Sequence, residues 1–455
     1  MNILIAGDGE VGAYLAKMLT GKKHNITFIS PQKTLLDSLE SHSDLLTILG
    51  DSTSMKVLNE ASVNEADLLM SILHDEQVNI LTCILAKKLG AKKVIARISS
   101  LEYLDEDNKA IFHGMGVDEI VCPERIAADE CIDLISQAGV TEVYDFAGGM
   151  LSLQLFHLTE QAKIIGASTK ELNHATSMKE DVKVLAVSRN NYVFVPNDND
   201  VFQVDDLVYT INKPRGKSHL LNLTGNAGKT IKNVMIVGGG RIAQMMAKEL
   251  GGKINLKVIE IDSVRCENLA GQFNAGVLVV NGDARDVEVL EDEDISNMDA
   301  FVAVTDNSET NIMTCLLAKR YGVNKVIALM DNVEYIDLVQ RFGIDGIINK
   351  KLITASYMTR FTLGADVSNI KFLSAIDGEV VEIRAKRDSK VTKKPIGSLT
   401  IPEGAVFGGI VRGYESHIAT DDFQIQEDDR VVMFCLSGTV ENVITMFNKK
   451  KFLEI

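Results

Sequence analysis

At 455 residues the chain is too long for one ordinary domain and suits roughly two to four. Apolar residues make up 46% and charged residues 24%, the balance of a soluble globular protein and not of a disordered one. The formal net charge is −16 with no basic block to offset it, which argues against nucleic acid, whose phosphates need a Lys/Arg stripe.

From Met1 the chain runs directly into NILIAG, without the basic and apolar regions of a leader peptide. No apolar run approaches the ~20 residues that span a bilayer, so a cytoplasmic location is expected. ILIAG reads as a buried strand, EVGAYLAKMLTGK as an amphipathic helix and NITFIS as the next strand. LLTILG, DLLMSIL, VIARI and DEIVCP follow as strands separated by helical stretches, the alternation of parallel βαβ units.

The turn after the first strand is GDGEVG: Gly7, Asp8, Gly9, Glu10, Val11 and Gly12. A G-x-G-x-x-G string between a strand and a helix is a dinucleotide fingerprint. Gly7 permits the tight turn, Gly9 lets a pyrophosphate approach the backbone, and Gly12 allows close helix–sheet packing. The helix N-terminus then favours the phosphate charge. At the end of the second strand, where an acid would hold the ribose hydroxyls, stands Ser30, a weaker, uncharged partner. Nearby Lys33 reads as a surface lysine. Asp51, in Gly50-Asp51-Ser52, either reaches an adenine amino group or caps the next helix. Leu73-His74 occupies the turn expected to face phosphates or ribose, and Arg97 either meets a phosphate or forms an ion pair.

Beyond this lobe the pattern becomes alternating strands with Gly and Asp-Asp turns around one or two helices, an α+β module. A polar stretch, Lys213 to Thr230, reads as a linker. The chain then repeats itself. NVMIVGGGRIAQMMAKEL from Asn233 matches NILIAGDGEVGAYLAKML from Asn2, and Thr310 to Met330 matches Val78 to Ile98. EDDRVVMF (Glu427 to Phe434) answers VDDLVYTI (Val204 to Ile211), so the duplication includes the second module.

The second fingerprint is GGGRIA, with Gly238, Gly239, Gly240, Arg241, Ile242 and the tolerated Ala243. Here the acid is present as Glu260. Asp283-Ala284 and Thr305-Asp306 take the places of Asp51-Ser52 and Leu73-His74, and Leu329 replaces Arg97. Four lobes are expected: residues 1–125 and 231–350 as Rossmann-like parallel-sheet lobes, 140–220 and 368–453 as the small α+β lobes.

The six cysteines (Cys83, Cys122, Cys131, Cys266, Cys315, Cys435) show no C-x-x-C pair or clustered His spacing. Buried, reduced thiols are the expectation, and no metal site. His74 and His113 have no nucleophile or carboxylate at a telling spacing, and no P-loop, G-x-S-x-G or H-E-x-x-H motif is present. No catalytic set is predicted.

Together these segments resemble the tandem RCK (KTN) family, the TrkA-type regulators of bacterial and archaeal Trk potassium uptake. The resemblance rests on the duplicated Gly turn, the G-D after the third strand, the NILTCILAKKLGAKKVIARI-type segment and the repeated second module. It implies a homo-oligomer, a dimer or tetramer ring. It also implies NAD(H) or ATP/ADP as ligands, and a TrkH- or TrkG-like membrane potassium transporter as partner on the inner face of the cell membrane. Ser30 and Leu329 predict unequal sites, the second copy favouring NAD(H) and the first either taking ATP or ADP or binding weakly. An NAD-dependent dehydrogenase, or a regulator of some other transporter, are the alternatives.

Overall fold

The computed structural model describes residues 1–20, 24–137, 139–174, 180–190, 192–225, 231–273, 276–364 and 366–448. They divide into two compact units, one of residues 1–127 and 350–362, the other of the described residues 128–349 and 363 onward.

The first unit is built on six parallel strands: β1 (Asn2–Gly7), β2 (Asn25–Ser30), β3 (Leu46–Leu49), β4 (Leu68–Ile72), β5 (Val94–Arg97) and β6 (Glu119–Val121). Their order is β3-β2-β1-β4-β5-β6, so the direction of winding reverses beside β1. Ile3, Leu4, Ile5 and Ala6 are all buried, as expected for a strand with helices on both faces. Asp75 caps the helix Glu76–Lys88 by accepting from the Gln77 amide at 2.8 Å. A helix from far along the chain, Lys350–Thr359, packs on Glu10–Thr20. There Lys351 pairs with Glu10, and the Lys93 ammonium lies 4.2 Å from the centre of the Phe361 ring.

The second unit contains three sheets. The first is antiparallel: β7 (Glu142–Phe146), β8 (Leu151–His157), β9 (Val182–Arg189), β10 (Tyr192–Phe194) and β11 (Leu207–Asn212), in the order β10-β9-β11-β8-β7. Next comes a second parallel sheet with the order of the first, β14-β13-β12-β15-β16-β17. Its strands are β12 (Asn233–Val237), β13 (Asn255–Glu260), β14 (Val277–Asn281), β15 (Ala300–Ala303), β16 (Lys325–Leu329) and β17 (Gly346–Ile348). The last sheet, β18 (Val367–Phe372), β19 (Gly378–Arg384), β20 (Ala405–Arg412), β21 (Glu415–Ile418) and β22 (Arg430–Leu436), repeats the antiparallel arrangement as β18-β19-β22-β20-β21.

The two antiparallel sheets share one core. Leu151, Leu153, Leu185 and Ile211 from the first meet Val380, Val411, Val432 and Phe434 from the second. A Cβ on Gly409 would stand 2.8 Å from the Leu151 side chain, so the absence of one allows this approach. The segment expected to be a linker is partly folded. Gly216–Leu223 is a helix with Leu220 buried, and residues 226–230 lie outside the described residues. The expected end of the last lobe, at 453, also falls outside them. All six cysteines are buried with free thiols, and burial pushes the Cys122 thiol up to about 11. No described helix is long and apolar enough to cross a membrane.

Candidate functional site

Both Gly turns lie at the carboxyl end of the central parallel strand, where the winding reverses and α/β sheets hold their ligands. In the second copy Gly238 has φ +95°, a left-handed conformation suited to glycine, and a Cβ there would stand 3.1 Å from Thr305. Gly240 opens the helix Arg241–Leu250, and a Cβ there would meet nothing within 4 Å. Above this bare backbone is a cavity of about 340 Å³. Gly238, Gly240, Glu260, Asp283, Ala284, Thr305 and Asp306 line it together with Arg265 and Arg285.

Glu260 is only 3% exposed and doubly held. One carboxylate oxygen accepts from the Gly239 amide at 2.7 Å, the other from the Asp262 amide at 2.8 Å, and Arg265 lies 3.5 Å away. The two amides supply the hydrogen bonds that burial takes from the carboxylate. Asp283 pairs with Arg285 at 2.6 Å, and that guanidinium holds its carboxyl below the usual range. Helix capping falls to Asp286, three residues further on, so Asp283 does not cap. Three of the predicted residues do not join the lining: Gly239, whose amide is turned to Glu260, Ile242, which is buried in the core, and Arg241, which is exposed on the helix surface.

The first copy differs at each of these points. Gly7 and Gly12 pack together as the fingerprint requires: a Cβ on Gly12 would stand 3.4 Å from the Gly7 Cα. Over Gly9, however, lies the His74 ring, whose Cε1 would be 2.7 Å from a Cβ there. Asp8 anchors it, accepting from the His74 amide at 3.0 Å and bonding Nδ1 at 2.7 Å. The imidazole thus rests where a pyrophosphate would approach. Glu10 turns to Lys351, which holds its carboxyl below the usual range.

Ser30 is fully buried, its hydroxyl accepting from the Gln32 amide at 3.1 Å. Asp51 closes a local turn with Thr53 at 2.8 Å, and Ser54 stands at the start of the next helix, so the capping alternative for Asp51 does not hold. Ser52 faces inward to Thr82 and Leu73 is buried. Arg97 takes the ion-pair alternative, 3.0 Å from Glu124. Lys33 and His113 are exposed.

One pair of residues was not singled out from the sequence. Asn311 is fully buried: its side chain accepts from the Thr305 amide at 3.0 Å and donates to the Leu329 carbonyl at 2.9 Å. It ties the ends of β15 and β16 beneath the cavity. Asn79 does the same in the first copy through Leu73 and Arg97. The signal was available, since an Asn stands at the same place in both copies of an otherwise apolar helical segment.

Among the described residues no group of His, Cys, Asp or Glu could hold a metal. The geometry offers bare amides, a helix N-terminus and a buried carboxylate around an open cavity, which is equipment for a ribose and phosphates.

Residues 3–123 and 234–350 match the TrkA-N domain family. The chain is 32% identical over 448 residues to the Trk system potassium uptake protein TrkA homolog of Archaeoglobus fulgidus, covering 98% of this chain and 100% of that one. It is 32% identical over 459 residues to the Trk system potassium uptake protein TrkA of Vibrio alginolyticus, covering 99% and 100%. Among solved structures it is similar to the GsuK RCK domain, with a TM-score of 0.62 at 17% identity over 97% of this chain and 94% of that one. The GsuK channel bound to NAD gives 0.60, again at 17%, over 97% and 78%. At such identity the likeness shows the fold, the RCK arrangement of Rossmann-like and antiparallel sheets.

Proposed function

This chain belongs to the TrkA family of Trk-system potassium uptake proteins, and from that membership we propose that it is a nucleotide-sensing regulatory subunit. Its second copy is the principal site, binding NAD(H). The observation that carries this is the open cavity joining Gly238, Gly240 and the buried Glu260. A structural relative's NAD complex supports the same ligand class. In the first copy, ATP or ADP must displace His74 to reach Gly9.

The chain binds these molecules without turning them over. Glu260 is committed to two amides and Asp283 to Arg285, so neither is poised as a general base. Regulation follows if nucleotide favours one arrangement of the subunits, which a ligand achieves only through differential affinity. The assembly, a homo-oligomer, acts on a TrkH- or TrkG-like membrane subunit at the inner face of the cell membrane. A protein partner is required there because net charge −16 repels anionic lipid.

A strain lacking the chain, grown at limiting potassium, tests this. Uptake is expected to fall and to return with the wild-type chain, which should co-purify with a membrane potassium transporter. Normal uptake in the deletion strain, with no membrane subunit captured, would refute the proposal.

A further inference from the structure

In the second parallel sheet β13 lies between β12 and β14, with Glu260 opposite Asn281. A dinucleotide with its pyrophosphate on the Gly238 turn, beyond β12, and its ribose at Glu260, the end of β13, therefore carries its base over the end of β14. Asp283 and Arg285 follow β14 there, Ile261 follows Glu260, and all three line the cavity.

A carboxylate at this place could accept from an adenine amino group, but Asp283 is fully engaged. Its Oδ1 accepts from the Arg285 amide at 2.9 Å and from Nε at 3.0 Å; its Oδ2 accepts from Nε at 3.1 Å and from Nη2 at 2.6 Å. Four contacts match the roughly four acceptor positions of a carboxylate, so none is left for the base. Asp51 in the first copy differs: Thr53 engages its Oδ1 alone, through amide and hydroxyl, each at 2.8 Å.

The side-chain bonds of Arg285 run in the plane of the guanidinium, so its faces stay open to a ring. Ile261 is 63% exposed although large and apolar, and Asn281 fixes its backbone by donating to the Ile261 carbonyl at 3.2 Å. A flat cation and an apolar side chain at one end of an open cavity suit a heterocycle held by its faces. Such stacking tolerates different bases, because every base has a π-face.

We propose that Arg285 is the residue that sets base specificity in the second site: with Ile261 it grips the base by its faces, so the site takes purine dinucleotides generally and does not select adenine by its amino group. This rests on the nucleotide reading above and refines it.

Calorimetric titration of the full chain with NADH and with reduced nicotinamide hypoxanthine dinucleotide, whose base carries a carbonyl in place of the amino group, tests it. The two are expected to bind within about threefold of each other, where a carboxylate accepting the amino group would favour NADH by about tenfold or more. Arg285→Ala should weaken both by about tenfold. Arg285→Lys, which keeps the charge but not the plane, should weaken both nearly as much, a change that a purely electrostatic role would not produce. A preference for NADH above about threefold in the wild-type chain, or an Arg285→Lys variant that binds as tightly as wild type, would overturn the proposal. Failure of NADH itself to bind would instead sink the nucleotide reading, and this one with it.

Discussion

Glu260 and Ser30 close equivalent strands of equivalent sheets, and both are buried, yet they stand over different turns. Glu260 braces the Gly239 amide beside an open cavity, whereas on the other side of the first turn Asp8 pins His74 over Gly9. If that contact is worth about 1 kcal/mol, it lowers the apparent nucleotide affinity of the first copy about fivefold. His74→Ala, measured in a Glu260→Ala background to weaken the second site, is therefore expected to tighten ADP binding several-fold. Unchanged or weaker ADP binding would show that His74 does not obstruct the turn.

The Gly positions were legible in the sequence because the turn repeats at a fixed spacing, and Glu260 because an acid there, at the end of the next strand, is part of the fingerprint. The His74 contact was not, because only the pairing of β1 with β4 brings residue 74 beside residue 8. Arg97 was left between two readings, and its resolution needed the position of Glu124.

At the level of elements, a buried ionic cluster links three segments distant in sequence. Lys371 in β18 lies 2.5 Å from Glu130 on the helix Pro123–Ser136 and 3.7 Å from Glu142 in β7. Glu142 also accepts from Tyr209 at 2.9 Å and from the Ser374 hydroxyl at 2.7 Å. Removing the cation leaves two buried carboxylates facing each other, so Lys371→Met should cost about 3–5 kcal/mol in denaturant unfolding. Restoring balance with Glu130→Met in the same chain should recover part of that loss. A single variant as stable as the wild type would mean that the cluster contributes nothing to holding these segments together.

The repeat made all four sheets readable, since each copy's strand pattern checks the other's. It did not reveal that the helix Lys350–Thr359 packs against Glu10–Thr20, because sequence neighbours are the natural first guess for spatial neighbours. Nor did it reveal that Gly216–Leu223 is helical, as its polar composition masks the buried Leu220.

For the whole molecule, the duplicated fold becomes a regulator only if nucleotide reaches it, and the two copies are unequally prepared. The second offers an open cavity with a charged ribose partner; the first offers a covered turn and a neutral one. Under the proposed function, this asymmetry would give one chain two responses without requiring two unlike folds. Calorimetric titration of NADH into the full chain and its Glu260→Ala variant tests this account most directly. Saturable binding without cofactor consumption is predicted, weakened about ten- to a hundredfold in the variant, as for roughly 1.5 to 3 kcal/mol from a charged hydrogen-bond partner. Equal NADH affinity in the two proteins, or steady oxidation of NADH by the pure chain, would contradict it.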